Sequence, residues 1–346
     1  MGRPAELAIR VGWYLIKNRV LLRKKRFPLV TMLEPLEACN LACEGCGRIR
    51  EYESVIHREM TTEECMAAVK EAGAPVVTIA GGEPTIWKHL PELVRRLVAQ
   101  RKFVFCCTNG LLMGKLFKEI PPSKYFAWVV HLDGTGAHHD KSVSRTGVYA
   151  IAMRNAQKAV ELGYRACSNT TLFSGSSPED LHSLWRKTTD MGFEGAMLTA
   201  WYDYQSVPNQ QLFLKRKAAV EVFRKVLDPT ATQGIRFYNN PLYLQFLRGE
   251  RSYKTCTAWS NPTYTVLGWR NPCYPLADAH SQELSDLMKD SVWDRYGNAE
   301  KDSRCANCMM HCGFESTTIL GAFSNPKDAV TMVRSGALTR SGMTAG

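Results

Sequence analysis

The sequence predicts an α/β protein built on a parallel sheet. Six short apolar runs alternate with longer stretches in which apolar residues recur at helical spacing. This alternation is typical of βαβ units, in which ligands bind at the carboxyl ends of the strands. The pattern alone leaves open whether the sheet is doubly wound or curled into a partial barrel.

The six predicted strands and five intervening helices cover residues 28 to 201. The strands are 28–34, 75–80, 102–107, 126–132, 165–172 and 196–201, and the helices are about 62–72, 88–100, 112–119, 146–162 and 178–191. The last helix has the clearest start, because Ser177 suits the N-cap, Pro178 the first helical position and Glu179 the first turn. Another helix is predicted near 210–227.

Four segments are predicted along the chain. Residues 1–26 form a basic amphipathic helix, 27–205 the α/β core, 206–330 a cysteine-rich C-terminal domain and 331–346 a tail rich in Ser, Gly and Thr. The chain of 346 residues, 45% hydrophobic and 22% charged, can bury a core.

Composition also bounds the location. No run reaches the about 18 apolar residues that a membrane span needs, and no secretory signal is recognisable. We therefore expect a cytoplasmic protein, in which the twelve cysteines are ligands, nucleophiles or core residues rather than disulfides.

The first 30 residues carry most of the net charge. They hold eight basic side chains against one acid, Glu6, and so supply +7 of the net +11, which argues against a broad nucleic-acid-binding face. Two apolar series recur there at helical spacing: Leu7, Val11 and Leu15, and Ile9, Trp13, Ile16 and Val20. Such a helix either contacts the inner face of an anionic membrane or packs on the domain with its basic residues in solvent.

Three cysteines follow the first strand. Cys39, Cys43 and Cys46 have CxxxCxxC spacing, and three close thiolates can bind three irons of a [4Fe–4S] cluster and leave the fourth iron open. A zinc site would need a fourth protein ligand nearby, and none with fitting spacing follows. The loop therefore predicts an open cluster.

The second strand ends in Gly81, Gly82, Glu83 and Pro84, and consecutive glycines allow close approach to the backbone. Together with the cysteine loop, this GGEP run resembles the radical S-adenosylmethionine (SAM) superfamily. The resemblance implies a partial (β/α)6 TIM-type barrel, in which SAM chelates the open iron and the GGEP strand contacts its methionyl amine. It also implies one-electron cleavage of SAM to methionine and a 5′-deoxyadenosyl radical, with a low-potential flavodoxin or ferredoxin as electron donor.

Further runs are similar to the adenosylhopane synthases, which are HpnH-like adenosyl-hopene transferases of hopanoid biosynthesis. They are Leu33-Glu34-Pro35-Leu36, Cys107-Thr108-Asn109, Val130-His131-Leu132-Asp133-Gly134, His139-Asp140-Lys141-Ser142-Val143, Gly268-Trp269 with Pro272-Cys273-Tyr274, and Cys305-Ala306-Asn307-Cys308 with His311-Cys312-Gly313. The resemblance implies that the adenosyl radical adds to the alkene of a triterpene, diploptene. The run Thr199-Ala200-Trp201-Tyr202-Asp203-Tyr204-Gln205 departs from that family's Ser-Pro-Gly-Tyr-Ala-Tyr-Glu, which leaves the substrate open.

The resemblance assigns roles to residues at the strand ends. Cys107 would donate a hydrogen atom to the tertiary carbon radical; the alternative is a buried strand cysteine, as Cys106 is expected to be. Asn109, His131, Asp133 and Asn169 would contact the cosubstrate. Asp133 is as well suited to capping the next loop, and Asn169 to a satisfied buried amide.

A second cysteine set follows residue 250. Cys305, Cys308 and Cys312 have CxxCxxxC spacing, and Cys256 or Cys273 can complete four thiolates. An auxiliary iron–sulfur cluster, a structural zinc or reduced thiols all fit this pattern, and His311 is expected beside the site or at the surface.

Two other functions compete with adenosyl transfer. The radical could abstract hydrogen from a nucleoside, sugar or peptide and release 5′-deoxyadenosine, in which case Trp201 and Asp203 mark a different pocket. A non-enzymatic iron–sulfur or zinc module is disfavoured, because a structural site would be closed.

Overall fold

A computed structural model describes residues 4–334, and its central feature is one sheet. Six strands follow the predicted positions within two residues: β1 Val30–Glu34, β2 Val76–Ile79, β3 Phe103–Thr108, β4 Phe126–His131, β5 Arg165–Leu172 and β6 Ala196–Ala200. Each pairs in parallel with the next. Strands in chain order with helical crossovers form the predicted partial barrel, so the fold class is confirmed.

Fourteen α-helices lie in the described residues. They are α1 Ala5–Ile16, α2 Arg48–Glu51, α3 Thr62–Ala72, α4 Leu90–Ala99, α5 Met113–Leu116, α6 Gly136–Ser142, α7 Val148–Glu161, α8 Pro178–Met191, α9 Arg216–Val226, α10 Pro241–Leu247, α11 Leu284–Leu287, α12 Asp290–Trp293, α13 His311–Ala322 and α14 Pro326–Arg334. The two helices with strong caps match their predicted ranges: Thr61 and Glu64 form a capping box before α3, and Ser177 caps α8.

Three strands that the sequence analysis did not predict extend the sheet beyond β1. They are β7 Thr263–Thr265, parallel to β1, and the antiparallel β8 Gly268–Pro272 and β9 Ala277–Ser281. The sheet therefore continues across the predicted boundary at residue 205, and the division into domains stays a prediction. Residues 331–334, which were assigned to the tail, belong to α14, and the rest of the predicted tail lies outside the described residues.

Side chains alternate between the two faces of the barrel strands. Val104, Cys106 and Trp128 pack in the main core with residues of the crossover helices. Phe105, Val129 and Cys167 belong to a second cluster on the inner face. The inner face of the barrel strands is therefore lined by apolar side chains.

Helix α1 covers the amino end of the barrel. Its Leu7 and Val11 pack against the inner cluster, and Glu6 binds Lys124 (Nζ–Oε2 2.8 Å) and accepts from the Tyr125 hydroxyl (2.8 Å), just before β4. One apolar series of the helix therefore packs on the domain, as one of the two interpretations expected. Among residues 4–334, no helix is both long and apolar enough to cross a bilayer.

Candidate active site

The three N-terminal cysteines lie in the loop between β1 and α2, at the carboxyl end of the sheet. Their side chains are partly buried, and the Cys46 amide donates to the Cys43 carbonyl (3.2 Å). The Arg50 guanidinium donates to the carbonyls of Cys43 and Cys46 and so holds the loop closed. Gly45 fits only as glycine, because a Cβ there would lie 2.7 Å from the Phe173 ring.

The chemistry of this loop fits a [4Fe–4S] cluster. Burial raises the pKa of the Cys39 thiol to about 12. Burial also raises the pKa of the Cys43 thiol. Buried thiolates need a cationic partner, which iron would supply. Three thiolates would leave a zinc ion without its usual fourth protein ligand, whereas they can hold three irons of a cubane and leave the fourth iron open.

The glycines of the GGEP run allow the protein's own backbone to approach. The Gly82 amide donates to the Leu36 carbonyl (3.0 Å), and the Glu83 amide donates to that of Ala38 (2.9 Å). A Cβ on Gly82 would lie 2.0 Å from the Ala38 oxygen, and Gly81 has a φ of 106°. The glycines thus seat the segment that leads into Cys39, and a contact between this run and SAM stays a prediction.

Glu83 connects the ends of β2 and β3. Its buried carboxylate accepts from the Thr85 amide (3.0 Å), the Thr108 hydroxyl (2.7 Å) and the Asn109 amide (2.8 Å), and Pro84 opens a short 3-10 turn. Burial raises the pKa of this carboxyl, although these hydrogen bonds act in the opposite direction. With both oxygens engaged, the Glu83 side chain positions the strand ends.

Asn109 fixes the cysteine loop to β3. Its side-chain amide donates to Asn40 Oδ1 (2.7 Å), and its own Oδ1 accepts from the Leu111 amide (3.1 Å). Because both side-chain groups have partners in the chain, the structure supplies a positioning role for Asn109. Its predicted contact with SAM is untested.

His131 and Asp133 form a pair at the end of β4. His131 Nε2 lies 2.8 Å from Asp133 Oδ2, and the Thr171 amide donates to Asp133 Oδ1 (2.9 Å). Burial lowers the pKa of His131, but the Asp133 carboxylate more than offsets this, so the pKa lies above its usual value. Asp133 therefore orients His131 and favours its protonated form.

Asn169 lies beside His131 in the register of β4 and β5. Its side chain is partly buried and makes no hydrogen bond to other described residues. The alternative of a satisfied buried amide is therefore wrong for this structure. The contacts of His131 and Asn169 with SAM stay predictions.

Cys107 and Cys106 point to opposite faces of β3. Cys107 is partly buried with the inner cluster, two residues beyond Phe105, whereas Cys106 is fully buried in the main core. Burial raises the pKa of the Cys107 thiol to about 12, and the nearby Glu83 carboxyl adds to the effect. Cys107 therefore carries its hydrogen at neutral pH and faces the barrel interior.

The five C-terminal cysteines line one cavity. It is bounded by Cys256, Cys273, Cys305, Cys308 and Cys312 together with Tyr202 and Arg304. Burial raises the pKa of Cys256 to about 11 and that of Cys312 to about 12, so thiolates here also need a cation. An auxiliary iron–sulfur cluster, a structural zinc and reduced thiols all stay compatible with this lining. His311 does not line the cavity.

Segment 199–205, whose sequence differs from that of the adenosylhopane synthases, lies between the two cysteine sets. The Trp201 ring stacks on Phe213 (5.4 Å between centroids, 8° between planes) and contacts Phe173 (4.4 Å), beside Gly45. Asp203 and Gln205 are exposed. Of the changed residues, Trp201 therefore packs against the cysteine loop, and the assignment of Asp203 to a different pocket stays a prediction.

Sequence analysis missed a buried ion cluster behind the cysteine loop. Arg270 on β8 and Glu34 on β1 are both fully buried and form an ion pair. Arg48 lies 4.0 Å from the same carboxylate, binds Glu51 (2.6 Å) and stacks over the Tyr274 ring (4.8 Å). The one feature of the sequence that could have indicated this cluster is Glu34, a charged residue at the end of an apolar strand.

Two family models match successive parts of the chain. Residues 33–186 match the model of the radical SAM superfamily, and residues 196–332 match a domain of unknown function, DUF3463. The second match covers the cysteine cavity and β7–β9. The first match therefore covers the cysteine loop and the barrel strands β2–β5, and the second match leaves the role of its region open.

Curated relatives are similar to part of this chain. GTP 3′,8-cyclase of Clostridium perfringens is 24% identical over 155 residues, which cover 43% of this chain and 48% of the cyclase. Fe-coproporphyrin III synthase of Methanosarcina barkeri is 33% identical over 135 residues, which cover 37% of this chain and 33% of the synthase. The chain thus spans about half the length of the cyclase and about a third of the length of the synthase.

A solved structure supports the fold. SuiB of Streptococcus suis, bound to its precursor peptide SuiA, has a TM-score of 0.61 at 15% identity, covering 87% of this chain and 73% of SuiB. At this identity the likeness establishes the shared architecture alone.

Proposed function

Because residues 33–186 of this chain form a domain of the radical SAM superfamily, which uses a [4Fe–4S] cluster and SAM, we propose that the protein is an adenosyltransferase acting on a hopanoid alkene. The cofactors, when bound, supply a 5′-deoxyadenosyl radical. The chain's own part is to hold the cluster with Cys39, Cys43 and Cys46, and to present the cosubstrate to His131 and Asn169.

The position of Cys107 is the observation that carries this proposal. Addition of the adenosyl radical to the terminal alkene carbon forms a C–C bond and leaves a tertiary carbon radical. The protonated Cys107 thiol faces the barrel interior and can transfer its hydrogen atom to that carbon. One electron and one proton then restore the thiol, with a low-potential flavodoxin or ferredoxin as the electron source.

The lining of the barrel supports an apolar substrate. Phe105, Val129 and Met197 belong to the same inner cluster as Cys107. A triterpene contributes no hydrogen bonds, so its binding depends on such apolar surface. We place the reaction in the cytoplasm, where the twelve cysteines stay reduced.

A second candidate is hydrogen abstraction from a more polar substrate. Trp201, packed between Phe173 and Phe213 beside the cysteine loop, is the observation that favours it, since this ring replaces the glycine of the adenosylhopane synthase run and changes the surface there. The names of the matched proteins point to GTP and to a peptide as substrates in those enzymes. In this case 5′-deoxyadenosine would be released free.

Product analysis separates the two candidates. Anaerobic, dithionite-reduced protein is incubated with SAM and diploptene, and the products are identified by mass spectrometry. A species with the mass of diploptene plus deoxyadenosyl plus hydrogen supports transfer, and free 5′-deoxyadenosine alone supports abstraction. If neither product forms although the cluster is verified to be present, radical chemistry is refuted.

Cys107→Ser tests the hydrogen donor. We expect at least about tenfold less reduced adduct, since a hydroxyl gives up hydrogen atoms poorly, while SAM cleavage continues. Cys106→Ser is the matched control, because that thiol faces the main core. An unchanged yield and composition with Cys107→Ser would exclude this role.

We also propose a second iron–sulfur cluster in the cavity of the five C-terminal cysteines. The variant Cys39→Ala, Cys43→Ala, Cys46→Ala should keep about four irons per chain, the content of one cubane cluster. Adding Cys308→Ala and Cys312→Ala should remove them. Zinc in place of iron, by elemental analysis, would contradict the proposal.

A further inference from the structure

Exposed apolar side chains are concentrated at one place on the surface. Of the ten large hydrophobic residues that are exposed in the described chain, six lie between residues 9 and 22, each 39–69% exposed: Ile9, Trp13, Ile16, Val20, Leu21 and Leu22. We call these six residues the apolar face. Single exposed hydrophobic residues are ordinary, but a contiguous set on one short segment marks an interaction surface.

The opposite side of α1 fixes the orientation of Ile9, Trp13 and Ile16, and the other three residues follow in the π-helical segment Lys17–Leu21 and at its end. Leu7 and Val11 pack on the inner cluster, and Leu15 is buried with Phe27 and Leu29. Helix α1 is therefore held on the barrel by one apolar series, and the second series points away from the protein. Within residues 4–334, no segment covers it.

Basic residues border the apolar face. Lys17, Arg23 and Lys24 are exposed, and the described residues offer none of them an ion pair. Lys25 and Arg26 share the carboxylate of Asp290, and Arg19 donates to the Lys25 carbonyl. The surface thus combines exposed apolar side chains, including one Trp, with basic side chains that have no ion pair among the described residues.

We propose that this surface docks on an anionic lipid bilayer. Apolar side chains would enter the boundary between headgroups and acyl chains, and the cations would contact lipid phosphates. A second copy of the chain fits less well, because pairing two such surfaces brings two sets of unpaired cations together. Charge complementarity therefore selects an anionic membrane. The inference does not depend on the reaction proposed above.

The docked orientation follows from the position of α1. The helix covers the amino end of the barrel, whereas Cys39 and Cys107 lie towards the carboxyl ends of the strands. The membrane would therefore hold the protein by its closed end, with the candidate active site on the far side. Docking keeps the enzyme at the membrane, but it does not open a path from the bilayer to Cys107.

Vesicle sedimentation tests the proposal. The reconstituted full-length protein, without SAM, is mixed with vesicles of phosphatidylcholine alone or with phosphatidylglycerol added. We expect binding to the anionic vesicles only. Each basic residue near an anionic surface is worth about a fivefold change in affinity, so Lys17→Gln, Arg23→Gln, Lys24→Gln should bind about a hundredfold more weakly. Lys115→Gln, Lys118→Gln, Lys217→Gln is the matched control, with three exposed lysines elsewhere.

A second variant and a fluorescence signal test the apolar face. Trp13→Ser, Val20→Ser should lose binding, whereas Leu162→Ser, at another exposed leucine, should not. Trp13 is the only strongly exposed one of the eight tryptophans, so vesicles should protect the wild-type signal from acrylamide. Absence of binding, or equal binding to neutral vesicles, would overturn the proposal. A solution dimer that Trp13→Ser, Val20→Ser dissociates would assign the surface to a second copy instead.

Discussion

His139 supports the His131–Asp133 pair from beneath. Its ring is fully buried, and Nδ1 accepts the Asp133 amide proton (3.2 Å), so the neutral ring carries its hydrogen on Nε2. That Nε2 has no hydrogen-bond partner among the described residues. Burial lowers the pKa of His139 to about 4, and the nearby His131 adds to the effect. The turn after β4 therefore depends on this imidazole staying neutral.

This burial predicts a stability that falls on acidification. The unfolded chain binds a proton at His139 below about pH 6.5, whereas the folded chain does so only near pH 4, so the free energy of unfolding decreases across that window. The cost should reach about 2 kcal/mol at about pH 5. In His139→Asn the amide oxygen can still accept the Asp133 amide proton, and this part of the pH dependence should disappear.

Urea unfolding of wild type and variant at about pH 7 and about pH 5 provides the measurement. His57→Asn is the control, because His57 is exposed. If His139→Asn and wild type lose the same stability between the two pH values, His139 is not the group that titrates.

At the scale of elements, the site depends on a close backbone contact between two loops. The segment Leu36–Ala38 lies on the GGEP turn, where the amides of Gly82 and Glu83 donate to it. Asn109 adds a side-chain link from β3 to Asn40. Three consecutive strand ends thus position the cysteine loop before any cofactor binds.

Gly82→Ala should therefore damage the cysteine loop. A Cβ placed 2.0 Å from the Ala38 oxygen forces backbone to move, which we expect to cost more than about 3 kcal/mol. Iron content should fall towards that of Cys39→Ala, Cys43→Ala, Cys46→Ala, with a lower Tm. Gly175→Ala is the control, since no atom lies within 4 Å of its Cβ position. A Gly82→Ala protein with wild-type iron and Tm would disprove the backbone contact.

The elements that sequence analysis predicted are those with local signals. The capping residues of α3 and α8 and the apolar runs of the six barrel strands lie within each element, and the cysteine spacing lies within one loop. Strand β9, Ala277–Ser281, has a largely polar sequence and forms only through pairing with β8. The Glu34–Arg270 pair joins residues 236 positions apart, and no local pattern indicates such a contact.

At the scale of the whole molecule, the sheet joins the two regions matched by different family models. Strand β7 pairs with β1, so the C-terminal region continues the sheet of the barrel strands. Trp269 on β8 is fully buried, and its indole donates to Glu71 of α3 (2.8 Å). Main-core residues come from both regions, including Val69 and Leu287. A shared sheet and a shared core imply cooperative unfolding.

Arg270→Met tests this coupling. The substitution leaves the Glu34 carboxyl buried with only the more distant Arg48 as a cation, and burial already raises the pKa of Glu34 to about 7. Removing one partner of a buried ion pair typically costs about 3–5 kcal/mol, whereas an exposed pair contributes under about 1 kcal/mol. Arg96→Met, which breaks exposed contacts with Glu63 and Glu92, is the matched control.

Urea unfolding followed by both circular dichroism and tryptophan fluorescence distinguishes the outcomes. If the regions are coupled, Arg270→Met lowers the midpoint of one coincident transition, because the lost pair destabilises β1 and β8 together. Two separated transitions, or a loss no greater than that of Arg96→Met, would mean that the regions fold independently. The first result would also link the cysteine loop to the C-terminal region, because Glu34 ends the strand from which that loop departs and its cation is supplied from β8.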